Sequence, residues 1–243
     1  MPVLKTKNIS KNFNGVKAVD NLSITISPGK ITGLIGPNGS GKTTLINLLS
    51  GVLPADSGVV IIGDTTAKHI KPYKIIGCGL TRTFQNIRLF NQMTVEDNIL
   101  IALTKRGVLN ALWEKTKKRH SKTAQEILNK VALWEKRHEL AINLSYGQRK
   151  LLEIGRALAT QAEIYLLDEP FAGLFPEMRK LVANLILELK NSGKTVVIIE
   201  HSMDIIQALC DQVIVLDSGA VLENGTPQEV LQNKKVIAAY LGT

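Results

Sequence analysis

Apolar and polar residues alternate over the first 27 positions, with Leu4, Val16, Val19, Leu22, Ile24 and Ile26 on the apolar side, and a Pro28-Gly29 turn follows. A period of two puts one set of side chains against a core, so the pattern predicts antiparallel strands at one edge of the fold. Residues 31–35 (Ile-Thr-Gly-Leu-Ile) form a short apolar strand that runs into a glycine-rich loop. Residues 43–50 follow as a helix, with Gly51 placed to stop it, and residues 59–62 make another strand. Over residues 94–143 the chain turns helical and polar, and Thr94 with Asp97 three positions on predicts a helix start by a capping box. Alternation of strand and helix resumes after Ala162. Strand 164–167 precedes a helix at 177–189, which carries Leu181, Leu185 and Leu189 on one face. Strands 195–199 and 213–216 come next, then a turn at Asp217-Ser218-Gly219 and a helix opened by Thr226-Pro227-Gln228-Glu229. This order predicts a mainly parallel sheet covered on both faces, with the helical stretch inserted into an α/β core.

At 243 residues the chain is long enough for one large α/β domain, or for a domain with a small appended subdomain. A net charge of +9 admits two readings: a polyanionic partner, or a basic surface that only aids solubility. Much of the charge lies in Lys105, Arg106, Lys115, Lys117, Lys118, Arg119 and Lys122, opposed only by Glu114. A solvated helix face is the default for this segment. The sharper alternative is contact with an anionic leaflet, where each Lys or Arg gains about 1 kcal/mol. Cys78 and Cys210 form no CxxC pair and match no zinc spacing, which points to reduced, buried thiols. His69, His120 and His138 carry no supporting motif and are read as surface or structural residues. The N-terminus has no apolar run of the signal-peptide kind, and no stretch approaches about 18 apolar residues. The chain is therefore not expected to span a membrane, and if it acts in transport another chain supplies the channel.

Gly36-Pro37-Asn38-Gly39-Ser40-Gly41-Lys42-Thr43 fits the phosphate-loop pattern G-x-x-x-x-G-K-[ST], with a strand before it and a helix after it. Glycines let the backbone turn its N–H groups onto phosphates, and the helix that follows directs its positive end at them. Lys42 would reach the β- and γ-phosphates, and the Thr43 hydroxyl would ligate Mg²⁺. Thr44 completes the expected ATP-binding set. The strand at 164–167 delivers Asp168 to the sheet's C-terminal edge, where α/β folds bind ligands. Asp168 suits the Mg²⁺ shell, and Glu169 is placed to polarise an attacking water as general base.

Phosphate loops also serve kinases, GTPases and helicases, so the loop alone leaves the class open. Leu144-Ser145-Tyr146-Gly147-Gln148 narrows it: Ser145 can cap a helix that starts at Tyr146, with Gln148 closing a capping box. With these motifs in this order, the whole chain resembles the ATPase subunit of an ABC transporter. The resemblance implies an α/β fold, the P-loop NTPase ABC-ATPase fold with an antiparallel β edge subdomain and an inserted helical subdomain. It implies one domain over residues 1–243, with a core at about 1–93 and 161–243 and the helical subdomain at about 94–160. It also implies that Gln85 touches Mg²⁺ or water and couples to the membrane subunits, and that His201 contacts the γ-phosphate. Phe13 would stack on adenine. Ser145, Gly147 and Gln148 would meet ATP held by the other subunit of a head-to-tail dimer. Glu169, His201, Gln85 and Lys42 form the implied catalytic set, and Thr43, Gln85 and Asp168 the metal set. The implied partners are ATP with Mg²⁺, transmembrane permease subunits and a second ATPase subunit, homo- or heterodimeric, with no specific nucleic acid. The implied location is peripheral, on the cytoplasmic face of the inner membrane.

The run from Arg82 to Phe90, the Leu-x-Tyr-Gly-Gln signature and the ending Ala239-Tyr240-Leu241-Gly242 look like branched-chain amino acid importers, and most like the longer of their paired ATPases. Similar tails occur in urea importers and in the lipopolysaccharide-export ATPase, and soluble ABC ATPases of iron–sulfur assembly share the core motifs, so the substrate stays open. One position departs from the family: Phe175 stands before Pro176, where Asn or Asp is usual.

Overall fold

The computed structural model describes residues 4–104 and 114–241. Lys105 and Arg106 of the basic segment lie outside them, as do the side chains of Lys115, Lys117, Lys118 and Arg119, while Lys122 is exposed. The chain divides into two compact units, Met1–Arg82 with Glu163–Glu169 and Ile186–Thr243, and Thr83–Ala162 with Pro170–Leu185.

The first unit holds both sheets. Strands β1 (Leu4–Phe13) and β2 (Val16–Leu22) pair antiparallel, and β1 also pairs with β3 (Thr25–Ile26) and β5 (Ser57–Ile62), which carries β6 (Thr65–Ala67). The turn between β1 and β2 is Asn14-Gly15, both at positive φ, the two-residue geometry that suits the twist of paired strands. The second sheet runs β11-β10-β4-β9-β8-β7, with β4 (Ile31–Ile35), β7 (Leu80–Arg82), β8 (Ile164–Asp168), β9 (Thr195–Ile199) and β10 (Gln212–Asp217) all parallel. Only β11 (Ala220–Gly225) pairs antiparallel, across a two-residue turn with Ser218 and Gly219 at positive φ. Every residue of β4, β8 and β9 is buried, as central parallel strands require. Helix α1 (Lys42–Leu49) contributes Leu45, Ile46, Leu48 and Leu49 to a core shared with Leu4, Val60 and Ile62 of the first sheet and Leu34, Leu166 and Val197 of the second. The short helices α2 (Pro72–Ile75) and α7 (Met203–Leu209), then α8 (Pro227–Gln232) and α9 (Lys234–Leu241), complete this unit. At α8, Thr226 and Glu229 form the reciprocal capping box and Pro227 sits at the first position, as the sequence predicts.

The second unit contains α3 (Val95–Leu103), α4 (Glu114–Lys130) and α5 (Tyr146–Ala159), together with the start of α6 (Pro176–Asn191), which ends in the first unit. Thr94 caps α3 by accepting from the Asp97 N–H, but its hydroxyl donates to the Asp97 carboxylate, so the bond differs from the expected capping box. Gly155 lets α3 and α4 close on α5, since a Cβ there would lie 3.2 Å from Ile99 of α3 and 3.5 Å from Ile127 of α4. Two expectations shift. The buried stripe of α6 is Val182, Leu185 and Ile186, with Leu181 and Leu189 half-buried. Cys210 is buried, but Cys78 is half-buried. No helix among the described residues is long and apolar enough to cross a membrane.

Candidate nucleotide site

Strand β4 ends at Ile35 and the chain turns through Gly36 to Gly41 into α1. Glycine is required at both ends of that loop. Gly36 has φ 151° and a Cβ would meet the Leu216 carbonyl oxygen at 2.1 Å; Gly41 has φ 100° and a Cβ would meet the Ala18 oxygen at 2.3 Å. Helix α1 has no side-chain cap and no acidic residue in its first turn, so its free N–H groups and positive end face the loop unneutralised. Lys42 folds back over it: Nζ donates to the carbonyls of Gly36 (2.8 Å) and Pro37 (2.9 Å) and lies 3.4 Å from Ser40 Oγ. Burial pulls the Lys42 pKa down, and the charges of Glu169 and Asp168 oppose that shift. Asn38, Gly39 and Thr43 are exposed on the open side of the loop, Pro37 and Thr44 are half-buried, and Ser40 is buried.

The parallel register brings the other groups to the same edge. Leu34 pairs with Ile199, and Asp168 pairs with Ile199 from the other side, so β4, β9 and β8 end level with one another. Neighbouring strands lie about 4.8 Å apart, which puts the end of β8 about 10 Å from the start of the loop. Asp168 is buried at the end of β8 and bonded to Arg82, whose Nη2 lies 3.1 Å from Oδ2. The other guanidinium nitrogen of Arg82 donates to Asn47 Oδ1 (2.6 Å) and Ser50 Oγ (2.9 Å), so one buried cation ties the end of α1 to the carboxylate of β8. Glu169 leaves the strand in the left-handed region, φ 47°, with its N–H bonded to Ile199 O at 3.1 Å. A non-glycine residue held there costs about 1–3 kcal/mol, a strain that concentrates at functional sites. His201, just past β9, places Nε2 3.3 Å from Glu169 Oε1. Phe13 ends β1 and is 43% exposed, which sets aside a core role for it. It is carried on the same hairpin whose Ala18 carbonyl touches Gly41.

A divalent ion fits this donor set on chemical grounds. Among the described residues no three His, Cys, Asp or Glu side chains cluster to cage a metal. One buried carboxylate, Asp168, and the Thr43 hydroxyl, beside a loop shaped for phosphates, suit Mg²⁺, which keeps waters and phosphate oxygens in its shell.

In the second unit, Ser145 Oγ accepts from the Gln148 N–H (3.3 Å) and Gln148 Oε1 accepts from the Ser145 N–H (3.0 Å), the predicted capping box at the start of α5. A Cβ on Gly147 would meet Met178 Sδ at 2.6 Å, and one on Gly173 would meet the Tyr146 ring at 2.6 Å. Two glycines therefore let the segment 173–178 close on the head of α5. Gln85 is exposed on a segment gripped from α5. Glu153 Oε1 accepts from the N–H groups of Phe84 (3.1 Å) and Arg88 (3.4 Å), and an Arg156 nitrogen donates to Arg88 O. Asn98, buried within α3, accepts from the Phe90 N–H (3.0 Å) and donates to the Phe90 carbonyl (3.1 Å). Burial pushes the Glu153 carboxyl above its usual range, against the pull of the Phe84 bond and of Lys150.

The structure thus gathers the phosphate loop, Asp168, Glu169 and His201 in the first unit, and Gln85, Ser145, Gly147 and Gln148 in the second. Sequence reading missed Arg82, Glu153 and Asn98. A signal existed for two of them: Glu153 interrupts an apolar run in α5, and Asn98 lies three positions after Val95 and beside Ile99, so each is a polar residue on a buried helix face.

A family model described as ABC transporter matches residues 19–172, and one described as branched-chain amino acid ATP-binding cassette transporter matches residues 220–243. The high-affinity branched-chain amino acid transport ATP-binding protein LivG of Escherichia coli (strain K12) is 38% identical over 252 residues, spanning 99% of this chain and 98% of that protein. The probable branched-chain amino acid transport ATP-binding protein LivG of Methanocaldococcus jannaschii is 38% identical over 252 residues, spanning 100% of this chain and 98% of that protein. A crystal structure of a nucleotide-free ATP-binding cassette from an ABC transporter matches with a TM-score of 0.87 at 37% identity, covering 100% of both chains.

Proposed function

Because the chain belongs to the ABC transporter family, as a cassette that binds and hydrolyses ATP, we propose that it drives branched-chain amino acid uptake through partner transmembrane subunits. The observation that carries the catalytic part is the 3.3 Å contact of His201 with Glu169, at the level edge where β4 opens into the phosphate loop. Glu169 takes a proton from the attacking water, and His201 holds that carboxylate and meets the γ-phosphate. Lys42 exchanges its loop carbonyls for phosphate oxygens, at the N-terminus of an uncapped helix. Asp168 and Thr43 would hold Mg²⁺, which supplies charge neutralisation at the β- and γ-phosphates, and Gln85 is the further metal residue that the family implies. Phe13 stacks on adenine. Ser145, Gly147 and Gln148 present a helix N-terminus to ATP bound by a second ATPase subunit, at the cytoplasmic face of the membrane. The match of residues 220–243 to the branched-chain amino acid model, and the relatives' names, favour that substrate class over urea or lipopolysaccharide.

Glu169→Gln keeps size and hydrogen bonding but loses basicity, so ATP binding is expected to persist while turnover falls about 10²–10⁴-fold. Phosphate release within about threefold of wild type would remove Glu169 from the base role. For the substrate, vesicles carrying the subunit with its co-purified permease are expected to accumulate labelled leucine on ATP addition. Urea accumulation instead would reassign the system.

A further inference from the structure

The peptide that opens the phosphate loop is held from both sides. The Gly36 carbonyl accepts from Lys42, and its N–H donates to the Tyr240 hydroxyl at 2.7 Å, across 204 positions of sequence. Tyr240 lies on α9, and that helix is anchored for the purpose. Asn233 caps it by accepting from the Lys235 N–H (2.8 Å), and the same Asn233 amide donates to Glu223 on β11. Val236, one turn before Tyr240 and on the same face, is 3% exposed. Strand β11 pairs with β10, and β10 with β4, the strand that ends at the loop. Burial raises the Tyr240 phenol above its usual range, with the Gly36 bond opposing, so the hydroxyl stays protonated and neutral at ordinary pH.

We propose that Tyr240 is a positioning residue of the nucleotide site: its hydroxyl fixes the Gly36 peptide, and through it the C-terminal helix sets how tightly the subunit holds nucleotide. Glycine has the widest backbone freedom of any residue, so a loop that starts with one loses the most entropy when it closes on phosphates. Fixing the Gly36 N–H removes part of that cost before nucleotide arrives. The inference rests on the reading of residues 36–43 as the ATP-binding loop.

The test is calorimetric titration of the full-length chain with ADP, beside thermal melting without nucleotide. One hydrogen bond corresponds to an affinity change of about threefold to tenfold, so Tyr240→Phe is expected to weaken ADP binding by that factor. Asn233→Ala, which frays α9, is expected to weaken it less and to add nothing when combined with Tyr240→Phe. Lys42→Ala separates the two levels of the argument. If Lys42→Ala binds ADP as wild type does, the loop reading itself fails. If Lys42→Ala loses ADP while Tyr240→Phe keeps wild-type affinity, the Tyr240 inference alone is overturned, whatever happens to the melting temperature. Additive losses in the Asn233→Ala, Tyr240→Phe double variant would overturn it too, since the helix would then act through general stability.

Discussion

Phe175 sits immediately before Pro176, and its carbonyl accepts the first helical bond of α6 from the Arg179 N–H at 3.0 Å. That is the N-cap position, where a phenylalanine side chain satisfies no backbone N–H, while Asn or Asp would. At 76% exposed, Phe175 is not inserted into the chain's own core, whereas Phe171 is 4% exposed and buried. An aromatic left in solvent on this turn is area available to a second copy. Phe175→Asn is expected to raise the stability of the isolated subunit by about 0.5–2 kcal/mol in thermal melting. The same change, placed in the Glu169→Gln chain, is expected to weaken ATP-dependent dimerisation by sedimentation. Unchanged dimer affinity would leave Phe175 without a role across subunits. At Cys210, burial first, then Asp211 and Glu200, push the thiol up to about 12.

At the scale of elements, the segment that carries Gln85 has no regular structure and takes its shape from α3 and α5. Glu153→Ala would remove the acceptor from the partly buried Phe84 N–H and is expected to cost about 1–3 kcal/mol in denaturant unfolding. Glu153→Gln keeps an acceptor oxygen and removes a buried charge. The sign follows from the raised carboxyl: the native state holds that proton above the pH at which the unfolded chain releases it, so wild-type stability falls as pH rises through this window. The stability of Glu153→Gln relative to wild type is therefore expected to grow as pH rises above 4.5, the ordinary value for a glutamate. Elements of this kind divide by legibility. Strands β4 and β9 and the capping boxes at Ser145 and Thr226 were readable because their signals are local: period, caps and turn residues within a few positions. Strands β6, β7 and β11 were not, since two are three residues long and β11 buries none of its residues, and each exists only because a partner strand is there.

For the molecule as a whole, the site's motifs could be read in order along the chain, but the bonds that organise them could not. Arg82 meets Asp168 across 86 positions and Tyr240 meets Gly36 across 204, and no periodicity encodes such a pairing. The division of site residues between two units also bears on assembly. If Ser145 serves ATP on the other subunit, then mixing Lys42→Ala chains with Ser145→Arg chains is expected to restore turnover above either alone. One composite site then carries both lesions and the other carries none. Normal activity of Ser145→Arg alone would sink that arrangement. The left-handed backbone at Glu169 has a further consequence, for laboratory selection. Its strain is a standing penalty on folding that the base role proposed for Glu169 would justify, and glycine or asparagine would relieve it. A library screened for heat resistance without a demand for turnover will therefore drift at position 169 toward those two residues, and the survivors will be robust nucleotide binders that have lost their chemistry.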